Sequence, residues 1–405
     1  MLNLQNLTNL SEEQKDSVET ILQEIQQQQT TEGLKAIGDT IINALMKAER
    51  NAFVRKNPNN KANGFYPRTL MTGLGKIDLQ IPRDRLNDFR PFLLPEKWQR
   101  GEQSYDDLLK SLVINAYSPN KIKAILKSLG LSYCAAEIEE IQNEIYQRSQ
   151  DLKNKELPQE VFCIYIDAYH ASIKDPESKK VVKAVIHTVI GIDKDGNKSV
   201  FGYYEFFGSE NKEHWLMILN DLIKRGMLKP ALIISDDFPG LKEAVAVLFD
   251  KTDHQLCFIH MQRNVYKNMS KSDSKQFNDT LKTIRTYKDF DKAINDFENL
   301  ALKFKDKYPH FIDLLIQKKE LYFNFLKYPE GLHKHIYTTN PVENFNSRLE
   351  VLRVNLGGYF QSTKTLNLAV QVLVDKLHAN VWNKKINAFR AHEYEIYQIF
   401  RSRFS

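Results

Sequence analysis

Val161-Phe162-Cys163-Ile164-Tyr165-Ile166-Asp167 is an apolar run that ends on an acid. A short run without charges, rich in β-branched and aromatic residues, predicts a buried strand. The run Ala231-Leu232-Ile233-Ile234-Ser235-Asp236 repeats the pattern. Acids at the ends of adjacent strands of an open sheet point into one crevice. We therefore expect Asp167 and Asp236 to share a site, although a single acid at a strand end is more often a turn or helix-capping residue.

The sequence around these runs predicts a mixed sheet flanked by helices. Two further strands, residues 181–192 and 200–207, are joined by a hairpin turn at Asp193–Asn197 (DKDGN). The remaining predicted elements are a helix at 212–226, a helix at 241–248 and a short strand at 255–259.

Length and composition are those of an ordinary globular protein. The 405 residues allow two or three domains, and 42% are apolar and 27% charged. No apolar run approaches a membrane span, and the polar, acidic N-terminus does not resemble a secretory signal. Three cysteines fit a reducing compartment. We expect a cytoplasmic, nucleoid-associated location.

Positive charge is concentrated in two segments. The net charge is −5 over residues 1–49, +7 over residues 50–100 and +5 over residues 261–335. Two basic blocks suggest a polyanionic partner. Solvated surfaces would give the same counts, so the charge alone leaves both interpretations open.

The N-terminal third has the signals of a small hairpin and a helical bundle. Helical spacing over residues 12–50 precedes a loop-like segment at 51–64 and a hairpin that ends in a basic turn, Pro82–Arg85 (PRDR). Three helices are predicted between residues 103 and 148; Ser118 caps the second, and Gly130 ends it. Two helices around a Gly turn match a helix-turn-helix. A generic three-helix bundle gives the same pattern.

A long helical segment separates the sheet from the last acidic motif. Residues 261–335 are helical, aromatic and basic without a strand signal, which predicts an insertion. Helices at 341–353 and 364–385 follow it.

Tyr337–Asn344 (YTTNPVEN) places Glu343 at the start of a helix. Asn340 and Glu343 match a capping box, which is a purely structural interpretation. Alternatively, Glu343 is a third acid that closes the site of the two strand acids. Neighbouring carboxylates repel one another and favour a cation between them, and oxygen ligands favour Mg²⁺ or Mn²⁺ over zinc.

Cys257-x2-His260, with His254 close by, suggests zinc. A structural zinc site needs four ligands, and no second pair lies near in the sequence. We therefore expect Cys257 and His260 to support the active-site strand. Arg263, three residues further on, could instead contact a phosphate of a polyanionic partner.

Several motifs, taken together and in order, resemble those of one protein family. They are Gly75–Arg85 (GKIDLQIPRDR), Ile166–Tyr169 (IDAY), Gly208–Glu210 (GSE) with Trp215, Arg225–Gly226, Ser235–Asp236 with Gly240–Leu241, Cys257–His260 (CFIH) with Arg263–Asn264, and Tyr337–Asn346 with Arg348. The chain closely resembles the bacterial insertion-sequence transposases related to the Mutator elements, a branch of the DDE recombinases.

The resemblance implies an α/β fold: an RNase H-like mixed sheet with helices on both faces, interrupted by an all-α insertion. A mainly α N-terminal DNA-binding region precedes it. The expected divisions are a helical lead-in (1–64), the DNA-binding region (65–155), the first part of the catalytic domain (156–260), the insertion (261–335) and the second part with C-terminal helices (336–405).

The resemblance also implies the site and its chemistry. Asp167, Asp236 and Glu343 correspond to the catalytic acids and would hold two Mg²⁺ or Mn²⁺ ions, with Cys257, His260 and Asn340 as support. The family usually has Gly where this chain has Asp237. Expected DNA contacts are Arg83, Arg85, Lys121, Lys123, Arg263 and Arg348.

The implied activity is nicking at terminal inverted repeats followed by transfer of the 3′-OH end into target DNA, by a dimer or larger assembly. A DNA-binding regulator with a decayed core and an RNase H-like nuclease without strand transfer are the alternatives.

Overall fold

A computed structural model describes residues 33–72, 75–92, 94, 103–114, 118–129, 131, 134–208 and 212–404. The predicted helical segment before residue 33, Gly130, and the motif residues Ser209 and Glu210 lie outside these ranges. Contacts divide the chain into two units, residues 1–141 and 142–405.

In the first unit a helix packs on a two-stranded antiparallel sheet. The elements are α1 (Gly33–Lys56), β1 (Ala62–Thr72), β2 (Gly75–Asp84), α2 (Gln103–Ile114), α3 (Pro119–Ser128) and α4 (Ala135–Asn154), which continues into the second unit. Ile77, Leu79 and Ile81 are buried and alternate with exposed residues of β2, as the strand period requires. They pack against Met46 of α1.

The predicted loop at 51–64 was wrong at both of its ends. Helix α1 continues to Lys56, and β1 begins at Ala62. Asn57 closes the helix through a hydrogen bond from Nδ2 to the Phe53 carbonyl, at 2.8 Å. The register shifts between Ala62 and Phe65, with Gly64 at a φ of +69°. Asn57 and Gly64 are residue types typical of loops, but here they lie at a helix end and at a bulge in the strand.

The predicted basic turn at Pro82–Arg85 also needs correction, because β2 extends to Asp84. Asp84 is buried and accepts hydrogen bonds from Asn60 Nδ2 and from the main-chain N–H groups of Asp88 and Phe89. The chain turns beyond this carboxylate. The predicted start of α3 is confirmed, with Ser118 as N-cap and Pro119 as the first helical residue.

The second unit contains a five-stranded mixed sheet in the order β5-β4-β3-β6-β7. The strands are β3 (Glu160–Lys174), β4 (Val181–Asp193), β5 (Lys198–Phe207), β6 (Lys229–Ser235) and β7 (Asp253–Leu256). Strand β4 is antiparallel to both β3 and β5, whereas β6 is parallel to β3 and to β7. The predicted mixed sheet is confirmed.

Helices cover both faces of this sheet. Ile164 and Ile166 of β3 belong to a core that also contains Trp215 of α5 (Lys212–Lys224) and Leu241 of α6 (Leu241–Leu248). Successive strand side chains point to opposite faces. Tyr165 lies on the other face, where its hydroxyl donates to the His335 carbonyl at 2.8 Å.

The last predicted strand, at 255–259, was wrong in its bounds. Strand β7 ends at Leu256, and α7 (Phe258–Asn268) begins two residues later with Cys257 as its N-cap. The run Cys257–Ile259 suits a strand or a helix. Burial of Phe258, Met261 and Val265 on one helical face selects the helix.

Helices fill the segment between β7 and the last acidic motif. After α7 come α8 (Lys271–Ile284), α9 (Phe290–Leu302), α10 (Pro309–Gln317), α11 (Lys319–Phe323), two 3₁₀ turns (Asn324–Lys327, Glu330–Leu332) and α12 (His333–Ile336). Gln255 of β7 connects this segment to the sheet. Its side-chain Nε2 donates to the Tyr322 carbonyl, and its Oε1 accepts from the Phe325 N–H.

The chain ends in four helices: α13 (Asn340–Asn355), α14 (Thr363–Asn380), α15 (Asn387–Ala391) and α16 (Glu393–Phe404). Helix α13 packs on β3 and β4. Within the described part of the chain, no helix is both long and apolar enough to cross a membrane.

Trp215→Ala tests the core between the sheet and α5. Trp215 is fully buried, so we expect a loss of about 3–5 kcal/mol in the free energy of unfolding. Met217 on the same helix is 61% exposed, and Met217→Ala should change stability by less than about 0.5 kcal/mol. Denaturant unfolding followed by circular dichroism measures both; equal losses would contradict this packing.

Candidate active site

Pairing of β3 with β6 brings two of the predicted acids together. Ile166 is the register partner of Ser235 in this parallel pair. Asp167 and Asp236, the next residues along each strand, therefore follow from neighbouring positions of the sheet. The prediction that Asp167 ends its strand was wrong, because β3 continues to Lys174 by pairing with β4 after its pairing with β6 has ended.

Helix α13 supplies Glu343. The helix N-cap is Thr339 rather than Asn340, which is the first helical residue. The Asn340–Glu343 capping box was therefore wrong: the hydroxyl of buried Thr339 lies 3.2 Å from Glu343 Oε1. Asn340 contributes through its main-chain N–H, which donates to Thr338 Oγ1 at 3.2 Å.

Asn346 and Thr188 hold the side chain of Asp167. Asn346 Nδ2 donates to Asp167 Oδ2 at 3.0 Å, and Asn346 Oδ1 accepts from Thr188 Oγ1 at 3.1 Å. The sequence reasoning assigned neither residue a role. Asn346 follows Glu343 by three positions, which places both on one face of α13, and that spacing was the available signal.

Burial raises the pKa of Asp167 to about 6. The amide of Asn346 and the charge of His260 oppose this shift, and the negative charge of Glu343 adds to it. Desolvation and a like charge are the conditions under which a carboxylate gains most from a bound cation.

His260 lies between the other two acids. Its Nε2 is 3.3 Å from Glu343 Oε1, and its Nδ1 is 3.8 Å from Asp236 Oδ1. Burial alone would lower the pKa of His260, but the hydrogen bond to Cys257 and the nearby carboxylates outweigh it and raise that pKa to about 9. The imidazolium is therefore a positive charge inside the acidic cluster.

Arg263, one turn further along α7, contributes a second positive charge. Its Nη1 and Nη2 donate to Oε1 and Oε2 of Glu343, both at 3.2 Å, and Nη1 lies 3.0 Å from His260 Nε2. Such a bidentate pair fixes the carboxylate in position and orientation.

Cys257 is buried beneath this cluster. Its sulfur accepts hydrogen bonds from the main-chain N–H and the hydroxyl of Thr339, at 3.4 and 3.3 Å. Burial alone would raise the pKa of Cys257, but hydrogen bonds from His260 and Thr339 lower it. Ligand atoms of Cys257, His260 and Glu343 all lie within 4.8 Å of one another. His254 is not a member of this group. Its Nε2 lies 2.8 Å from Ser235 Oγ instead.

Asp237 points to a different partner from Asp236. Its carboxylate forms an ion pair with Lys318, at the C-terminal end of α10, whereas Asp236 Oδ1 faces His260. In this conformation Asp236, not Asp237, belongs to the acidic cluster.

The six predicted DNA contacts are dispersed. Arg83, Arg85, Lys121 and Lys123 are exposed in the first unit. Arg83 lies over the Tyr66 ring, 5.8 Å from its centroid. Arg348 is exposed on α13 and donates to Asn344 Oδ1. Of the six, Arg263 is the one that the structure brings into the acidic cluster.

The site therefore combines acids from two adjacent strands of a mixed α/β sheet with an acid from a helix. Carboxylate oxygens are the ligands that Mg²⁺ and Mn²⁺ prefer. The class that fold and site define is an α/β protein with a carboxylate site suited to divalent metal.

The family follows from comparison with known proteins. The family described as "Transposase, Mutator family" matches residues 9–384, and the chain belongs to that family. Similar proteins include the transposase for insertion sequence element IS905 of Lactococcus lactis, 28% identical over 80% of this chain and 84% of the relative. The transposase for IS256 in transposon Tn4001 of Staphylococcus aureus is 25% identical over 85% and 90%.

The solved structure of the Drosophila P element transposase strand transfer complex covers 75% of this chain and 87% of its own, at 12% identity. Its TM-score of 0.27 is too low to decide the fold.

A double-mutant cycle tests the support of Asp167. Thr188→Val removes the donor to Asn346 Oδ1 and leaves a buried oxygen unsatisfied, which should cost about 1–3 kcal/mol of unfolding free energy. In an Asn346→Leu background the same change should cost much less, and the difference is the coupling energy. Denaturant unfolding of the four proteins measures it; additive losses would contradict the hydrogen bond.

Proposed function

We propose that this chain is the DNA transposase of an insertion sequence, and that Asp167, Asp236 and Glu343 form its catalytic site. The observation that carries the proposal is that strand register puts Asp167 and Asp236 at neighbouring positions of the sheet, while His260 contacts both Asp236 and Glu343. The three acids are 69 and 107 positions apart in sequence. Membership of the Mutator family and the names of the relatives support the substrate class. The mixed sheet with helices on both faces supports an RNase H-like core.

The residues fit a divalent metal centre. The donors are three carboxylates, and two cationic side chains, His260 and Arg263, already balance their charge. Neighbouring carboxylates repel one another and favour a cation between them. When bound, two Mg²⁺ or Mn²⁺ ions would supply the charge neutralisation and the activated hydroxyl that phosphodiester cleavage requires.

The chain's own residues would then position the reaction. Asp167, fixed by Asn346, would hold metal together with Asp236 and Glu343. Such positioning is the main contribution of the protein in phosphoryl transfer. The proposed reaction is nicking at terminal inverted repeats and transfer of the freed 3′-OH end to target DNA.

We assign recognition of the ends to residues 65–155. Arg83 is exposed on β2 and Arg85 directly after it, and Lys121 and Lys123 are exposed on α3. Exposed cations of this kind contact phosphates and position a protein on DNA, while base contacts specify sequence. Residues 156–260 and 336–405 would form the catalytic domain around the helical insertion at 261–335. Joining two DNA ends calls for a dimer or larger assembly.

Single substitutions of the acids test the catalytic site. Asp167→Asn and Asp236→Asn should each abolish nicking and strand transfer of labelled inverted-repeat ends in Mg²⁺, because each removes a metal ligand. Asp237→Asn is the matched control, since Asp237 pairs with Lys318, and it should retain most activity. DNA binding by all three should stay near that of the unmodified protein.

Each other outcome of this assay contradicts part of the proposal. Nicking without strand transfer by the unmodified protein would identify a nuclease. Binding without either step would identify a regulator with a decayed core. Loss of activity in Asp237→Asn but not in Asp236→Asn would reverse the assignment of the second acid.

Salt dependence tests the proposed DNA contacts. Each phosphate contact contributes about 0.9 to the slope of log K against log salt concentration. Arg83→Gln with Arg85→Gln should therefore lower that slope by about 1–2 for an inverted-repeat duplex. Lys47→Gln with Lys110→Gln removes the same charge from exposed positions of the first unit and should change it less; equal effects would contradict a specific role for Arg83 and Arg85.

A further inference from the structure

Arg263 is paired with Glu343, one of the three acids of the proposed metal site. Both of its terminal nitrogens bond Glu343, one to each carboxylate oxygen, at 3.2 Å. Both oxygens of Glu343 thus have a guanidinium donor, and Oε1 is also 3.3 Å from His260 Nε2. A divalent ion that binds an oxygen of Glu343 repels the guanidinium and draws charge from the same carboxylate, so it weakens these bonds.

The Arg263 side chain is more exposed than that of His260. The Arg263 side chain is 50% exposed, and that of His260 is 19% exposed. His260 also contacts a buried residue, because its Nδ1 lies 3.5 Å from the hydroxyl of Thr339. A long, half-exposed side chain with a single acidic partner can change rotamer without disturbing the core.

We propose that Arg263 is a displaceable cation: it holds Glu343 when the site lacks metal, and metal binding transfers its guanidinium to a phosphate of the DNA strand at the site. This inference rests on the proposed function. A planar guanidinium matches phosphate as well as carboxylate, with two parallel N–H donors. Arg263 therefore has a partner of equivalent geometry in each state.

The consequence is that the binding of metal and the binding of DNA are coupled. Without metal, Glu343 neutralises Arg263, so DNA gains little from it. With metal, Arg263 is released and adds a phosphate contact, and reciprocity requires that DNA strengthen metal binding by the same factor. This coupling would make metal bind more tightly to the protein–DNA complex than to the free protein.

Mn²⁺ binding to the free protein is the first test, measured from the electron paramagnetic resonance signal of unbound Mn²⁺. Arg263→Gln removes the competitor and should tighten binding about two- to five-fold, the range expected for a half-exposed ion pair. Lys267→Gln removes the same charge one turn further along α7, where the side chain is exposed, and should leave the affinity unchanged. Unchanged or weaker binding in Arg263→Gln would overturn the proposal.

This test separates the inference from the proposed function. If Asp167→Asn does not weaken Mn²⁺ binding, the metal site itself is wrong. If Asp167→Asn weakens binding while Arg263→Gln does not tighten it, the site stands and the role of Arg263 is rejected.

DNA binding tests the transfer to phosphate. In metal-free buffer, Arg263→Gln should leave the salt slope for an inverted-repeat duplex unchanged. At fixed saturating Mn²⁺ it should lower the slope by about 0.9, the value for one phosphate contact. An equal slope for the variant and the unmodified protein in Mn²⁺ would overturn the transfer, as would a lowered slope in both buffers.

Discussion

Parallel pairing between β3 and β6 is the constraint on which the site depends. It fixes Ile166 beside Ser235, and the two acids that follow stand at neighbouring positions. Glu343 is added by α13, which packs on β3 and β4, and Asn346 of the same helix anchors Asp167. A one-residue slip of either strand would turn its acid to the opposite face of the sheet. The acids are thus held by main-chain hydrogen bonds rather than by contacts with one another.

Much of the sheet could be predicted because its inner strands are continuous apolar runs. Residues 161–166 and 231–234 are fully buried, and the short length and β-branched content of these runs favour a central strand. Prediction failed where local composition fits two structures. Asn57–Gly64 looks like a loop but contains a helix end and a bulge, and Cys257–Ile259 fits a strand until its helical burial is known.

The acids of the site could be predicted from the sequence, but most of the residues that contact them could not. Asp167 and Asp236 stand out because each follows a buried run, and Glu343 because it follows a helix start. The partners of these acids depend on tertiary pairing. Lys318 lies 81 positions from Asp237, and Thr188 lies 158 positions from Asn346; no local pattern connects either pair. The ion pair between Arg263 and Glu343, 80 positions apart, is equally invisible in the sequence.

The central claim is that the three acids hold divalent metal together, and anomalous diffraction from crystals soaked in Mn²⁺ tests it most directly. The account predicts anomalous peaks bounded by Asp167, Asp236 and Glu343, with Asp237 still paired to Lys318. Peaks that lie on Cys257 and His260 without Asp167, or three carboxylates that share no ion at saturating Mn²⁺ with DNA bound, would contradict it.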